Sequence, residues 1–270
     1  MTMNTKGLPG KVVCITGAAG GIGSAIALAF AEAGANLALL DINEEGLSHL
    51  AEELRWRRTP SVTVSTVVAD LSTEQGVKSG IEQVLSPFGS RIDVLVANVG
   101  FLIAGRFEEL TSEQWQRGFA LNFFTHVFAC QAVIPLMKQR GGGSIIFTGS
   151  DQGLQPDAGL GPYAQAKAAV HSLVKMLARE LPSDGILVSA VAPGMTRTPL
   201  VETLMEGYAR EFGTDTKTAE KLELQRRGVP LGRLGEPEEV AEAVLYLATA
   251  AFCNGTILNI SGGNVRAVMC

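Results

Sequence analysis

Short apolar runs alternate with amphipathic stretches along almost the whole chain. The apolar runs are rich in Val, Ile, Leu and Ala and predict strands at 11–16, 36–42, 61–69, 91–97, 144–148, 186–192 and 256–260. The stretches between them predict helices from the first glycine turn to about 34, then at 44–57, 73–88, 111–139, 163–181 and 237–249. Ser72 is the predicted N-cap of the third helix, and Pro135 is expected to bend or end the fourth. Residues 199–227 are more polar and predict less regular structure.

The predicted strands are largely continuous apolar runs, with β-branched residues over 61–69, and each strand but the last is followed by a helix. Strands of this kind belong to a parallel sheet that is covered on both faces. We therefore predict an α/β protein with a doubly wound parallel sheet of about seven strands and helices on both faces. With no repeat and no low-complexity linker, the 270 residues predict a single domain over 1–270, with 1–10 as an N-terminal extension.

Charge and composition narrow the class of protein. The chain has 22 basic and 27 acidic residues and a net charge of −5, which argues against a nucleic-acid surface. The one dense basic cluster, 55–58, is expected at the solvated end of a helix. Cysteines are scattered and show no metal-binding spacing, so we expect reduced thiols in a cytoplasmic protein and no metal site: Cys14, Cys130, Cys253 and Cys270.

No segment is expected to direct the chain into or across a membrane. The N-terminal residues lack the apolar stretch of a signal peptide. The apolar segment 22–40 is long enough to imitate a membrane span. Glu32, Gly34 and Asn36 interrupt it where a helix should stop and a strand begin, so a span is rejected.

A glycine-rich turn lies between the first predicted strand and its helix. Gly17, Gly21 and Gly23 occupy the place where a βαβ unit meets a dinucleotide, because bare backbone amides can approach the pyrophosphate at a helix N-terminus. This predicts a Rossmann-like fold, with the turn as phosphate-binding site: Gly17, Ala19, Gly20, Gly21, Ile22 and Gly23. The spacing departs from Gly-x-Gly-x-x-Gly, and tight turns also use glycine for conformational reasons alone.

Asp41 closes the second predicted strand, where a carboxylate can accept hydrogen bonds from both hydroxyls of an adenosine ribose. The same charge would repel a 2′-phosphate, and neither Ala18–Gly20 nor Ile42 adds a basic residue. We therefore predict NAD(H) rather than NADP(H) as cofactor, with Asp41 and Ile42 in contact with it. The plain alternative is that Asp41 caps the second helix.

Tyr163 and Lys167 are four residues apart in a predicted helix and so share one face, with Ser150 upstream at the end of an apolar run. A lysine beside a phenol favours the phenolate, which would let Tyr163 move a proton near neutral pH. Together with the glycine turn, this predicts an enzyme that passes hydride and a proton between a dinucleotide and an alcohol or ketone. A serine hydrolase is a poor alternative, since the glycine spacing around Ser150 is wrong and no later histidine fits.

These motifs resemble the short-chain dehydrogenase/reductase family, and the resemblance runs from about residue 11 to 263. Thr16-Gly-x-x-x-Gly-Ile-Gly23 resembles its nucleotide turn, and Tyr163-x-x-x-Lys167 with Ser150 resembles its catalytic set. The resemblance implies further cofactor contacts at Asp70, Leu71, Asn98, Gly100, Pro193, Gly194, Thr196 and Thr198, besides Tyr163 and Lys167 themselves. It also implies that Asn122 takes part in a proton relay, and that the chain forms a homotetramer.

The sequence departs from the family pattern at Ala97, Val99 and Ser261, which puts packing near the nicotinamide ribose and the last strand in doubt. The substrate pocket is expected between 101–107, 154–161 and 195–230. These segments carry few charges and suggest a moderately apolar secondary alcohol or ketone. A 3-oxoacyl-thioester reductase, a polyol or sugar dehydrogenase, and a catalytically silent NAD sensor stay open.

Overall fold

A seven-stranded, fully parallel sheet forms the centre of the protein in the computed structural model, which describes residues 7–57 and 62–266. Its order is β3-β2-β1-β4-β5-β6-β7. The strands are β1 (Val12–Thr16), β2 (Asn36–Asp41), β3 (Val64–Val68), β4 (Val94–Ala97), β5 (Gly143–Thr148), β6 (Ile186–Pro193) and β7 (Ile257–Ile260). The predicted fold class is confirmed.

Helices cover both faces of this sheet. They are α1 (Gly21–Glu32), α2 (Glu44–Trp56), α3 (Glu74–Leu85), α4 (Ser112–Phe119), α5 (Thr125–Gln139), α6 (Gly161–Glu180), α7 (Pro199–Glu211), α8 (Thr216–Arg227) and α9 (Pro237–Thr249). Successive strand side chains point to opposite faces, so Cys14 packs with α3, α5 and α6, whereas Val13 and Ile15 pack with α1, α2 and α9. Both faces are covered over the central strands β1, β2, β4, β5 and β6, which is why these strands are mostly apolar, whereas the edge strands β3 and β7 are partly exposed and carry polar residues such as Ser65 and Asn259.

The strand order reverses between β1 and β4. In open parallel sheets, the carboxyl ends of the strands on either side of such a reversal diverge and leave a cleft between their following loops. The first glycine turn follows β1 at this point, and the loop that begins with Asn98 follows β4. The topology therefore brings the two predicted cofactor segments to one edge of the sheet.

Several local predictions were wrong. Thr73, not Ser72, caps α3, because the Thr73 side chain accepts a hydrogen bond from the Gly76 amide. Pro135 does not end its helix, which runs on to Gln139, and the bend that was the other expectation stays a prediction. The irregular part of the predicted 111–139 helix is instead a π-helical turn at Ala120–Phe124. There the side chain of Asn122 donates to the Gly118 carbonyl four residues earlier, an acceptor that an α-helix would give to a backbone amide.

The polar segment 199–227 forms two regular helices rather than irregular structure. Thr198 caps α7 through the Val201 amide, with Pro199 at the first helical position. Asp215 caps α8 through the Thr218 amide, and Gly228 ends it at φ +70°. Both caps are local signals that favour a helix. The prediction of irregular structure relied on the polarity of the segment. Polarity does not exclude a helix, because an exposed helix is polar over most of its surface.

The segment 22–40 divides into α1 and β2, as predicted, and so cannot be one membrane-crossing helix. Over the described part of the chain, Ser112–Gln139 is long and apolar enough to cross a membrane by length and composition, and 33% of its most apolar window is buried. Buried members of this stretch, such as Val133 and Met137, belong to the core beneath the sheet. Residues 1–6 of the expected extension, together with Arg58, Ser61 and Cys270, lie outside the described residues.

Candidate active site

A cleft of about 1090 Å³ opens along the carboxyl edge of the sheet. Every predicted site residue except Asn122 lines it. Gly17 to Gly23, Asp41, Ile42, Asp70 and Leu71 lie toward the β2–β3 side, whereas Ser150, Tyr163, Lys167 and 193–198 lie toward β5 and β6. The fold therefore brings together segments that are far apart in the sequence.

The glycine turn has no room for a side chain at Gly21 or Gly23. Gly17 has φ +66°, a conformation that other residues adopt only with strain. A Cβ atom at Gly23 would stand 2.1 Å from the Gly17 carbonyl oxygen, and one at Gly21 would stand 2.8 Å from the Thr198 methyl group. The turn is thus folded tightly against itself, and the N-terminus of α1 points its free amides at the cleft. Such a cradle fits a dinucleotide pyrophosphate.

Asp41 closes β2 at the edge of this cradle. Its two carboxylate oxygens accept hydrogen bonds from the backbone amides of Ala19, at 2.9 Å, and Asn43, at 3.0 Å. Asn43, not Asp41, caps α2. A carboxylate has about four acceptor positions, so the carboxylate held in this way can still accept hydroxyl donors from the cleft. Among the described residues from Gly17 to Ser72, which leave out 58–61, no Lys or Arg lines the cleft.

Asn98 joins three neighbouring strand ends. Its backbone amide donates to the Thr16 hydroxyl at 3.1 Å, its side-chain amide donates to the Gly17 carbonyl at 3.0 Å, and its side-chain carbonyl accepts from the Thr148 hydroxyl at 3.0 Å. These contacts fix the floor of the cleft. Ala97 is fully buried beside it, so this departure from the family pattern faces the core rather than the cleft.

Asn122 is fully buried behind the cleft wall. Its side chain accepts from the Phe101 amide at 2.9 Å and donates to the carbonyls of Phe101 and Gly118. A Cβ atom at Gly100 would stand 3.6 Å from both Asn122 Oδ1 and Lys167 Nζ, so the two polar groups face the same glycine. The relay role implied by the resemblance stays a prediction. What the structure shows is that Asn122 fixes the loop after β4 to the π-helical turn.

Ser150 and Tyr163 meet on the β5 side of the cleft. Ser150 is almost fully buried, and its hydroxyl accepts from the Gln152 amide at 3.1 Å and donates to Asp151 at 3.0 Å. Enclosure by protein raises the pKa of the Tyr163 phenol. A hydrogen bond with Ser150 and the charge of Arg227 lower this pKa, whereas the charge of Asp151 raises it. Burial outweighs the opposing effects.

Lys167 is 2% exposed, and its ammonium donates to the Thr148 carbonyl at 2.7 Å. Burial lowers the pKa of Lys167 from 10.5 to about 7. Its Nζ atom lies 5.8 Å from the centroid of the Tyr163 ring. The prediction that Lys167 brings the Tyr163 pKa toward neutrality was therefore wrong for this arrangement, because burial weakens the charged form of both groups.

The segment after β6 closes the cleft from the far side. A Cβ atom at Gly194 would stand 2.9 Å from Ser261, so only glycine lets the two chain segments meet. The Thr196 hydroxyl donates to the Gly194 carbonyl at 3.1 Å, and Thr198 caps α7. Pro193 ends β6 at the level of Ile260 in β7. The segment is thus held from both ends beside Ser150.

Two charged residues at the substrate side of the cleft, Asp151 and Arg227, were not predicted as site residues from the sequence. Asp151 is 3% exposed and hydrogen-bonds both Ser150 and Asn264. Arg227, at the end of α8, lines the cleft and forms ion pairs with the partly buried Asp157 at 2.8 Å and with the buried Glu223 at 2.7 Å. Both residues stand in the sequence directly after Ser150 or in the polar 199–227 segment, but the partners Asn264 of Asp151 and Asp157 of Arg227 lie far away in the sequence.

The remaining wall of the substrate side is largely apolar. It is contributed by the three segments in which the pocket was expected: Phe101, Leu102, Ala104, Leu160, Met195, Leu200, Val201 and Leu204. Of the two charges expected there, Asp157 is paired with Arg227, and Arg106 is paired with Glu108 at the surface. Within residues 7–57 and 62–266, no three His, Cys, Asp or Glu side chains are grouped to hold a metal ion.

The sheet order, the glycine cradle and the Ser150–Tyr163–Lys167 group define a class of nucleotide-dependent oxidoreductase, and sequence comparison agrees. The profile of the short chain dehydrogenase family matches residues 11–209. This chain belongs to that family.

Related proteins differ in what they act on. The 3-oxoacyl-[acyl-carrier-protein] reductase FabG of Thermotoga maritima is 37% identical over 260 residues, which cover 96% of this chain and 99% of the relative. The 3alpha-hydroxysteroid dehydrogenase of Mediterraneibacter gnavus is also 37% identical over 260 residues, covering 94% and 97%. The L-sorbose reductase of Gluconobacter frateurii, solved with NADPH and L-sorbose, has a TM-score of 0.93 at 32% identity and covers 98% of this chain and 100% of its own.

Proposed function

We propose that the protein is an NAD(H)-dependent oxidoreductase that interconverts a secondary alcohol and a ketone. The observation that carries the proposal is the convergence of Ser150, Tyr163 and Lys167 on a cleft whose other end is a tightly folded glycine-rich turn. Family membership supports the oxidoreductase class. The nicotinamide cofactor would supply the hydride chemistry, and the protein would supply alignment and proton transfer.

The described residues fit such a cofactor. The amides at the start of α1 and the bare turn from Gly17 to Gly23 would hold the pyrophosphate, Asp41 the adenosine ribose, and Asp70 and Leu71 the adenine. Asn98, Gly100 and the segment from Pro193 to Thr198 would hold the nicotinamide end. Lys167, whose ammonium faces the cleft beneath Gly100, would hydrogen-bond the nicotinamide ribose.

Tyr163 would take the proton from an alcohol in oxidation and return it to the ketone oxygen in reduction, with Ser150 holding that oxygen beside it. Acid–base catalysis of this kind contributes about 10²–10⁴-fold. Because burial raises the pKa of Tyr163, the phenol carries its proton through neutral pH. Oxidation, which needs the phenolate, should therefore accelerate as pH rises. Asn122 would hold a water between Lys167 and solvent.

The choice of NAD over NADP rests on charge. A 2′-phosphate beside Asp41 would meet a carboxylate fixed by two amides. In the described ranges 17–57 and 62–72, no Lys or Arg lines the cleft to offset the repulsion. The NADPH in the sorbose reductase belongs to a protein 32% identical to this one, so it leaves the local charge argument in place.

Two other substrate classes have specific support. The Thermotoga maritima relative favours a 3-oxoacyl thioester, which would use the apolar wall. Asp151 and Arg227 at the cleft, together with the sorbose reductase, favour a polyol or sugar. The moderately apolar alcohol or ketone fits the majority of the lining residues. A silent NAD sensor is the remaining alternative, and the complete Ser150, Tyr163 and Lys167 set argues against it.

The deciding experiment is a panel of secondary alcohols, polyols and 3-hydroxyacyl thioesters with NAD⁺ and NADP⁺, followed through the absorbance of the reduced cofactor. We expect turnover with at least one secondary alcohol and a higher kcat/KM with NAD⁺. The reverse reaction should then proceed with the matching ketone and NADH. A preference for NADP⁺ would overturn the cofactor assignment, and NAD⁺ binding without turnover on the whole panel would favour the sensor.

The family resemblance also supports a homotetramer, and the scattered thiols support a cytoplasmic location. The described cysteines are unbridged, and burial raises the pKa of Cys14 and Cys130 to about 12, which keeps both thiols inert. Sedimentation of the purified protein tests the assembly, and fractionation of its native cells tests the location.

A further inference from the structure

The hydroxyl of Ser150 has little hydrogen-bonding capacity left for a substrate. A serine hydroxyl has one hydrogen and two lone pairs. One lone pair accepts from the Gln152 amide at 3.1 Å, and the hydrogen is donated to Asp151 Oδ1 at 3.0 Å. A ketone oxygen can only accept a hydrogen bond. Ser150 therefore cannot hold a ketone oxygen while it donates to Asp151.

Asp151 is itself fixed from two sides. Its other oxygen, Oδ2, accepts from the side-chain amide of Asn264 at 2.8 Å, and a Cβ atom at Gly194 would stand 3.4 Å from that oxygen. Asp151 and Asn264 are 3% and 4% exposed. Gln155 holds the segment around Asn264, donating to the Asn264 carbonyl at 3.2 Å and accepting from the Arg266 amide at 3.0 Å. The carboxyl group is thus pinned between the catalytic serine and the C-terminal segment.

We propose that Asp151 is a positioning residue that competes with a ketone substrate for the single hydrogen of Ser150, so that Ser150 donates to the ketone oxygen in reduction only when Asp151 carries a proton. The inference rests on the proposed function, because it assigns Ser150 to the substrate oxygen. The carboxyl group concerned belongs to the residue that directly follows Ser150.

Protonation of Asp151 balances the donors and acceptors between Asp151 and Ser150. Asn264 keeps Oδ2 as an acceptor, so the acid hydrogen lies on Oδ1 and is donated to the Ser150 oxygen. The two lone pairs of Ser150 then accept from Asp151 and from the Gln152 amide, and its own hydrogen is free for the Tyr163 oxygen and the substrate oxygen beside it. Asp151 keeps its proton throughout the reaction. Hydrogen bonds in such a chain strengthen one another.

Neighbouring charges set the pH at which this state is lost. Burial raises the pKa of Asp151, whereas Asn264, Ser150 and Arg227 act to lower it. The other titratable groups packed around the site are on α6: Tyr163, Lys167 with a pKa of about 7, and His171 with a pKa of about 4. Because Lys167 titrates near neutrality, a wild-type pH profile alone does not identify the group, and variants at Asp151 and Asn264 are required.

The test is the pH profile of kcat/KM for ketone reduction with NADH. In the wild type, one alkaline-falling limb should belong to Asp151, with a loss of about tenfold per pH unit above its pKa. Asp151→Asn supplies a permanent side-chain donor to Ser150 and has no proton to lose. That limb should disappear, with activity kept to within about threefold of the wild-type plateau until Tyr163 ionises.

Asn264→Leu is the second variant and lies outside the catalytic group. Loss of its hydrogen bond removes a contact that favours the Asp151 carboxylate, so the limb should move to higher pH. A role in folding alone would lower activity equally at every pH. Thermal unfolding and NADH titration of both variants establish that each is folded and binds cofactor.

A readout without turnover accompanies the kinetics. The charge of Asp151 raises the pKa of Tyr163, so Asp151→Asn should move the tyrosinate absorbance change of Tyr163 to lower pH. Tyr163→Phe provides the baseline. The proposal is overturned if folded Asp151→Asn keeps the wild-type limb, or if it binds NADH but reduces no ketone at any pH. Failure of the proposed function is distinct, since then the wild type itself turns over no substrate.

Discussion

The two ends of the cleft are built in different ways. The nucleotide end is made of backbone: Gly17 to Gly23 follow one another in the chain, and their work is to leave space and expose amides. The substrate end is made of side chains from four separate places, including Ser150, Tyr163, Arg227 and Asn264. The named relatives have different activities. In this chain, the contacts of the substrate end join residues that lie far apart in the sequence, such as Asp151 and Asn264.

The largest expected effect separates chemistry from binding at the substrate end. Tyr163→Phe should lower kcat by about 10²–10⁴-fold, since the proton donor and acceptor is lost. NAD⁺ affinity should stay within about threefold, because the nucleotide end is unchanged. Steady-state kinetics and NAD⁺ titration measure the two. The control is Tyr208→Phe, a second tyrosine that lines the cleft, which should keep most of its activity. Normal turnover of Tyr163→Phe would contradict the assigned role.

A change at the nucleotide end should have the reverse effect, lowering the affinity for NAD⁺ more than the rate of the chemical step. In Gly23→Ala the new methyl group would stand 2.1 Å from the Gly17 carbonyl oxygen, and the backbone must shift. We expect a loss of about 1–3 kcal/mol in stability and a weaker NAD⁺ complex. Calorimetry and cofactor titration measure these effects.

Gly20→Ala is the matched control for that substitution in the same turn. Its methyl group would meet the Gly17 oxygen at 3.5 Å, an ordinary contact, at φ −74°. If Gly20→Ala loses as much stability and NAD⁺ affinity as Gly23→Ala, the clash at Gly23 is not the cause of the loss.

The choice of cofactor should respond to a single charge. Asp41→Asn removes the carboxylate that we expect to repel a 2′-phosphate. The ratio of kcat/KM for NAD⁺ over NADP⁺ should fall by about tenfold or more, the size expected from a few kcal/mol of like-charge repulsion partly screened by solvent. Asp70→Asn, a charge change on the same side of the cleft, should leave the ratio near its wild-type value. An unchanged ratio in Asp41→Asn would show that the charge of Asp41 does not determine the preference for NAD⁺.

The smallest effect on activity is expected from a substitution outside both ends of the cleft, at Asp93. Asp93 accepts from Lys11, Arg91 and the Val12 amide at the opposite edge of the sheet. Burial alone would raise the pKa of Asp93, but hydrogen bonds from Arg91, Val12 and Lys11 outweigh it and hold the pKa below its ordinary value.

Asp93→Asn should destabilise the protein by about 1–2 kcal/mol without changing cofactor or substrate kinetics. The depressed pKa means that the contribution is present above the unfolded-state value near 4 and is lost as pH falls through the folded value. The gap in unfolding free energy between wild type and variant should therefore narrow in acid. A constant gap down to pH 2 would show that the charge of Asp93 plays no part.

The sequence alone predicted the sheet, because strands that are buried in a parallel sheet consist mainly of apolar residues. In the structure, 19 of the 20 predicted site residues line one cleft. It missed the helices α7 and α8, although both carry local caps. It also missed the contacts of Asp151 with Asn264 and of Arg227 with Asp157, because no local pattern signals a pairing between residues so far apart. The raised pKa of Tyr163 depends on burial, which spacing along a helix does not reveal.

Asn98 has a mechanical consequence. One side chain is hydrogen-bonded both to the carbonyl that begins the glycine turn and to the last residue of the strand that leads into Ser150. Shear between β1 and β5 would have to break these bonds together. We therefore expect the glycine turn and the end of β5 to move as one body, so that the distance between the turn and Ser150 changes little when the surrounding helices move.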